Sequence, residues 1–120
     1  MREERGQIRG EQIIHEPYTL WGSIAGNVRV IQGGKLYVRG AIYGNLTVEY
    51  GGRVHVYGNV SGKLIVHDGA KVIHSGIIGG DVLNTDGRLY IEGVATVGGR
   101  VKTKGTGTTV IEPKATVKAK

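Results

Sequence analysis

The chain is predicted to be all-β: a single-stranded β-helix whose coils of about 18 residues stack into a solenoid of roughly triangular section. Three observations carry that expectation. Glycine returns at 22, 40, 58 and 76, an interval of 18 repeated three times. Between those glycines apolar residues alternate with polar ones, as in Val28, Val30, Leu36 and Val38 or Leu46, Val48, Val54 and Val56, and period two is the signature of strands. Further glycines stand at fixed offsets, Gly26, Gly44, Gly62 and Gly80, then Gly33-Gly34, Gly51-Gly52, Gly69-Ala70 and Gly87. They mark corners, where a tight bend needs positive φ or close backbone approach. No segment sustains a 3.6-residue rhythm, and each of 22 glycines would cost roughly 1 kcal/mol inside a helix.

Each coil is expected to contribute three short strands. Residues 1–5 read as a short N-terminal tail, and Gly6, Ile8 and Gly10 open an imperfect first coil that closes on Pro17, Tyr18, Leu20 and Trp21. Regular coils start at Gly22, Gly40 and Gly58, while the one at Gly76 is a residue short and ends at Glu92. The segment 98–112 aligns with 79–92 only if one residue is added near Gly105 and Gly107, giving about six coils in a single domain. Pro113 cannot donate to a further ladder, so 113–120 read as a short basic tail.

Coils hydrogen-bonded to one another lie about 4.8 Å apart, so a position has meaning through the file it forms with its counterparts. One file is Lys35, Arg53, Lys71 and Arg88, a repeated cation after the glycine corner. Asp68, Asp86 and Glu49 in neighbouring corner files offer local ion pairs; the alternative is a strip that binds a polyanion or anionic lipid head groups. Beside it run Tyr37, His55, Ile73 and Tyr90, and with Tyr43, Tyr50 and Tyr57 also expected outward, these tyrosines form a candidate protein-contact face. Asn27 and Asn45 share a file with Lys63 and Asp81, and stacked asparagines can bond along the axis. Asn84 and His74 fall where valines point inward in other coils; a register shift that turns Leu83 or Ile73 inward instead is the expectation.

Composition narrows the function. There is no cysteine, so disulfides and thiolate metal sites are excluded. The four histidines, His15, His55, His67 and His74, are expected in different files, without the convergence a metal needs. No Ser/His/Asp set or carboxylate pair stands out, no cofactor is expected, and the glycines are corners rather than phosphate loops. A hexapeptide-type acyltransferase would need a stricter six-residue rhythm and a histidine on an inserted loop, and the threonines form no ladder of the ice-binding kind. Net charge is +6, and residues 98–120 hold six Lys/Arg against one acidic residue. No stretch is long and apolar enough to span a membrane, and the charged opening MREERGQIRG has no signal-peptide core, so a cytoplasmic protein, at most peripheral to the inner face of the membrane, is expected. Nucleic acid is an unlikely partner, since no recognised binding module appears.

The repeated openings GSIAGNVRV, GAIYGNLTV and GNVSGKLIV in coils of 17 to 18 residues resemble those of the bactofilins, polymer-forming bacterial cytoskeletal proteins, over about residues 6–112. The resemblance implies a right-handed β-helix, nucleotide-independent assembly through rod ends and a scaffolding role at the envelope. An aromatic contact supports polymerisation in that family, whereas this chain has no phenylalanine. Unpaired edges at a solenoid end point independently to joining or capping. Ile8, Ile13, Ile14, Tyr18, Leu20 and Trp21 are the candidate apolar joint or cap at one end. Val110, Ile111 and Val117, interrupted by Glu112 and Pro113, look more like a cap at the other. The leading expectation is therefore a non-enzymatic, self-associating scaffold; the rival is a discrete protein-binding module, such as a small inhibitor or immunity-type protein, acting as monomer or dimer. The expected partner is a second copy of the chain, and otherwise another protein or an anionic envelope component.

Overall fold

Twenty short strands, all paired in parallel, wind through a computed structural model that describes residues 2–118. They stack into three faces. The first comprises Arg2–Glu4, Pro17–Leu20, Lys35–Val38, Arg53–Val56, Lys71–His74, Arg88–Ile91 and Thr108–Ile111. The second comprises Gln7–Arg9, Ser23–Ala25, Ala41–Ile42, Asn59–Val60, Ile77–Ile78, Thr96–Val97 and Thr116–Val117. The third comprises Gln12–Ile14, Val28–Val30, Leu46–Val48, Leu64–Val66, Val82–Thr85 and Val101–Lys104. The result is the β-solenoid that the repeat requires, about six coils within 34 × 25 × 20 Å.

Both expected tails contain a strand; Met1, Ala119 and Lys120 lie outside the described residues. Arg2–Glu4 pairs with Tyr18–Leu20, and Thr116–Val117 pairs with Thr96–Val97, because each extends a file whose backbone groups would otherwise be unpaired.

The alternation sets the core. Tyr18, Leu36, Val54, Val72 and Leu89 form one inward file of the first face, Ile24, Ile42, Val60, Ile78 and Val97 that of the second, and Val28, Leu46, Leu64 and Val82 one of the third. All of these are buried. Side chains of one file pack on those directly above and below, so each coil buries its apolar edge only by stacking.

The period of 18 has a steric cause. A Cβ at Gly22, Gly40, Gly58 or Gly76 would lie 1.8–2.1 Å from the carbonyl oxygen of the glycine one coil earlier, so the backbones touch along this corner and no side chain fits. At another corner the requirement is conformational: Gly33, Gly51 and Gly69 have φ of 88°, 79° and 75°, and in the next coil Asp86 takes that place at φ 62°. The residue missing from that coil is lost here, since Asp86 and Gly87 span a turn that uses Asp68, Gly69 and Ala70 one coil before.

That placement corrects the expected register shift. The deletion falls in a corner and leaves the strands in phase, so His74 pairs with Val56 and Ile91, Asn84 with Val66 and Thr103, and both are fully buried. Asn84 is satisfied there. Its Nδ2 donates to Gly87 O at 3.1 Å, Thr108 O at 3.0 Å and Thr109 Oγ1 at 2.9 Å, and its Oδ1 accepts from Gly87 N at 2.9 Å. His74 Nε2 lies 3.0 Å from Thr96 O, an acceptor only, so this nitrogen carries the proton and Nδ1 is left buried without a partner. Burial lowers the His74 pKa, and the bond to Thr96 opposes that shift. The extra residue expected near Gly105 and Gly107 is present, since Thr85 pairs with Lys104 but Arg88 pairs with Thr108.

Candidate functional site

The outer side of the first face carries the most concentrated chemistry. In-register pairing stacks Lys35, Arg53, Lys71 and Arg88 in consecutive coils, all exposed. Neighbouring charges about 4.8 Å apart repel by close to 1 kcal/mol in bulk water. The expected local relief is not there: among the described residues the ion pairs are Arg2–Glu16, Arg29–Glu49 and His55–Glu92, and none involves this file. Glu49 is taken by Arg29, at 2.6 Å, a bond that lowers the Glu49 pKa. Asp86 accepts from Thr106 N at 2.7 Å. Asp68 and Asp86 share a groove of about 470 Å³ with Arg53, Lys71 and Arg88 without pairing to them.

On the other side of the cations lies a narrower groove of about 160 Å³, lined by Tyr37, His55 and Ile73 with Lys35, Arg53 and Lys71. Its rings are already engaged. The Lys35 ammonium sits 5.6 Å from the Tyr37 ring centre, and His55 stacks on Tyr57 at 3.8 Å between centroids.

The residue before each corner glycine, Arg5, Trp21, Arg39, Tyr57, Ser75 and Glu92, forms a further file that Glu112, before Pro113, completes. The arginines cap the rings, Arg5 and Arg39 lying 5.1 and 5.2 Å from Trp21, and Arg39 4.3 Å from Tyr57. Further along, Ser75 Oγ donates to Glu92 Oε1 while His55 Nε2 lies 3.0 Å from Ser75 Oγ and 3.8 Å from Glu92 Oε1. This trio was missed in the sequence because its members sit in two different files; aligning the residue before each corner glycine would have found Ser75 and Glu92. It is not wired as a nucleophile. The carboxylate holds the serine proton, so His55 Nε2 donates to Oγ, whereas hydrolysis needs the imidazole to accept that proton and the acid to orient the other ring nitrogen. Burial lowers the His55 pKa, with Glu92 opposing.

The other sequence candidates scatter. Tyr37 and Tyr90 share the central file of the first face, Tyr57 stands at its corner with the second face, Tyr43 ends a strand of the second face, and Tyr50 occupies the corner between third and first. They do not make one contact face, because their positions within the repeat differ. His15 and His67 share a file, contrary to expectation, but Ile31 and Glu49 separate them by about 14 Å. The asparagine ladder is present in a particular form: Asn27 Oδ1 accepts from Asn45 N and Asn45 Oδ1 from Lys63 N, each at 2.8 Å, and Asp81 Oδ1 accepts from Arg100 N at 2.9 Å.

At the ends the candidate residues differ in burial. Ile14, Tyr18 and Leu20 are core residues, Ile8 is half-buried, and of the N-terminal candidates only Ile13 and Trp21 are exposed, at 48% and 41%. Register places Arg2, Glu4 and Gln12 in the inward files of the first coil, and the Arg2 guanidinium lies 5.5 Å from the Tyr18 ring as a polar lid. The last coil puts Val101, Ile111 and Val117 in inward files, Ile111 43% exposed and the other two half-buried. Val110 points outward, in the Tyr90 file.

Comparison with models of known protein families, with characterised proteins and with solved structures gave no significant match. Among the described residues no helix is long and apolar enough to cross a membrane.

Proposed function

We propose that this protein is a non-enzymatic structural scaffold of the bactofilin kind, working at the inner face of the bacterial envelope, that self-associates through the C-terminal end of its solenoid. The observation that carries the reading is a difference in the inward files: three of the five at one end are polar, Arg2, Glu4 and Gln12 beside Ile8 and Ile14, whereas three of the five at the other are apolar, Val101, Ile111 and Val117 beside Thr103 and Thr109, with Ile111 43% exposed. The strands Thr108–Ile111, Thr116–Val117 and Val101–Lys104 also present their outer edges there, and an open edge is a template for another chain. Joining two such ends continues both the ladder and the core. Growth beyond a pair then requires the opposite end, where the polar lid would have to move.

The test is concentration-dependent light scattering with negative-stain microscopy on the wild type and on an Ile111→Lys/Val117→Lys variant. Rods joined end to end in the wild type and single rods in the variant, with circular dichroism unchanged, support the reading. Wild-type protein that stays monomeric at all concentrations overturns it and favours the discrete binding module.

A further inference from the structure

The cation file on the first face is independent of either end, and nothing in the scaffold reading uses it. Lys35, Arg53, Lys71 and Arg88 are exposed, stacked in register and outside every ion pair among the described residues. A fold that only needed solubility would gain nothing from setting four like charges in single file over roughly 14 Å. We propose that this file is a binding track for a linear phosphate polymer, inorganic polyphosphate in its simplest form, laid along the rod axis.

The surroundings select a bare, thin polyanion. Asp68 and Asp86 line the wide groove beside the track, so a planar anionic membrane would press on carboxylates as well as cations, while a chain can lie on the far side, over Tyr37, His55 and Ile73. Nucleic-acid bases need open ring faces to stack on, and here one face of Tyr37 is taken by Lys35 and one face of His55 by Tyr57. An acidic glycan's hydroxyls would find few acceptors there, since no amide or carboxylate side chain lines the narrow groove. An acidic peptide cannot add as a strand, because the strand backbones of this face already bond to the coils on either side. Charge is the recognition element that remains, and Lys and Arg alternate along the track as a point-charge and a forked phosphate donor.

Isothermal titration with short-chain polyphosphate over a salt series tests the assignment. Contact with four charges predicts a slope of log K against log salt of about −3, by analogy with single-stranded polyanions. Arg53→Gln/Lys71→Gln should bind at least tenfold more weakly, on the order of two lost contacts, and show about half the slope. Lys35→Gln/Arg88→Gln should do the same, which keeps the test valid if either pair perturbs folding. Lys102→Gln/Lys104→Gln, in the basic C-terminal part, should bind as the wild type does. The proposal fails if both track variants bind like the wild type, if the Lys102/Lys104 variant is the one that loses binding, or if oligothymidylate or phosphatidylserine vesicles outcompete polyphosphate for Arg53 and Lys71.

Discussion

The regular middle of the rod, residues 22–75, and its C-terminal third, residues 76–118, share three faces and one register yet hold their corners and cores differently. In the middle every inward side chain up to Val72 is apolar and the period-18 corner is closed to the limit, with Gly40 against the Gly22 carbonyl. In the last third the same corner is widened by the run Gly93, Val94 and Ala95, and a Cβ at Gly93 would meet nothing nearer than Lys114 Cβ at 3.1 Å. Polar groups enter the core at the boundary, His74 and Asn84, and the turns beside Asn84 change length. The difference teaches that strict periodicity here is a packing constraint: where coils touch backbone to backbone, length and composition are fixed, and where a side chain takes over the bonding of a corner, both are released.

The largest expected effect sharpens that contrast. Gly40→Ala places a methyl 1.8 Å from a carbonyl oxygen in the middle of the stack, and should lower the unfolding free energy by about 4 kcal/mol, read from urea denaturation. Asn84→Ala removes the bonds that hold Gly87 and Thr108, leaving the buried Gly87 N–H unmet while Gly87 O keeps Thr108 N; a loss of about 2–3 kcal/mol in the same measurement is expected, and a loss under about 0.5 kcal/mol would refute the corner role.

His74 contributes a pH dependence of determinate sign. Its folded pKa is lowered by burial, so below the unfolded value of about 6.5 the unfolded chain binds the extra proton and stability falls as pH falls. The limiting slope is about 1.4 kcal/mol per pH unit, and His74→Leu, set between Val56 and Ile91, should remove most of the loss between about pH 7 and 5; His55, shifted the same way, supplies the remainder. The smallest effect belongs to Gly93→Ala, within about 1 kcal/mol of wild type, because the new methyl meets only the exposed Lys114 side chain, which has to give by a few tenths of an ångström. An equal loss for Gly40→Ala and Gly93→Ala would break the comparison.

Legibility followed the same boundary. In the middle each position can be read against its siblings, so the sequence alone sets Lys35, Arg53, Lys71 and Arg88 in one file. His74 and Asn84 were misread because a missing residue can fall in a strand or in a turn, and composition does not say which; the positive φ of Asp86 shows that it was the turn. The ends were misread for another reason. Tyr18 and Leu20 look like part of a surface cluster in one dimension, and only the pairing of Arg2–Glu4 with Tyr18–Leu20 reveals that a strand lies over them. His55, Ser75 and Glu92 come from three successive coils and form no linear motif.

The parallel ladders have a mechanical corollary. Inter-coil hydrogen bonds point along the rod, so tension applied between its ends loads them as a zipper, one turn at a time, instead of shearing a whole sheet at once. Each regular turn that peels away would release about 60 Å of extended chain, and the rod would lengthen under load in even steps while the turns behind it stay wound.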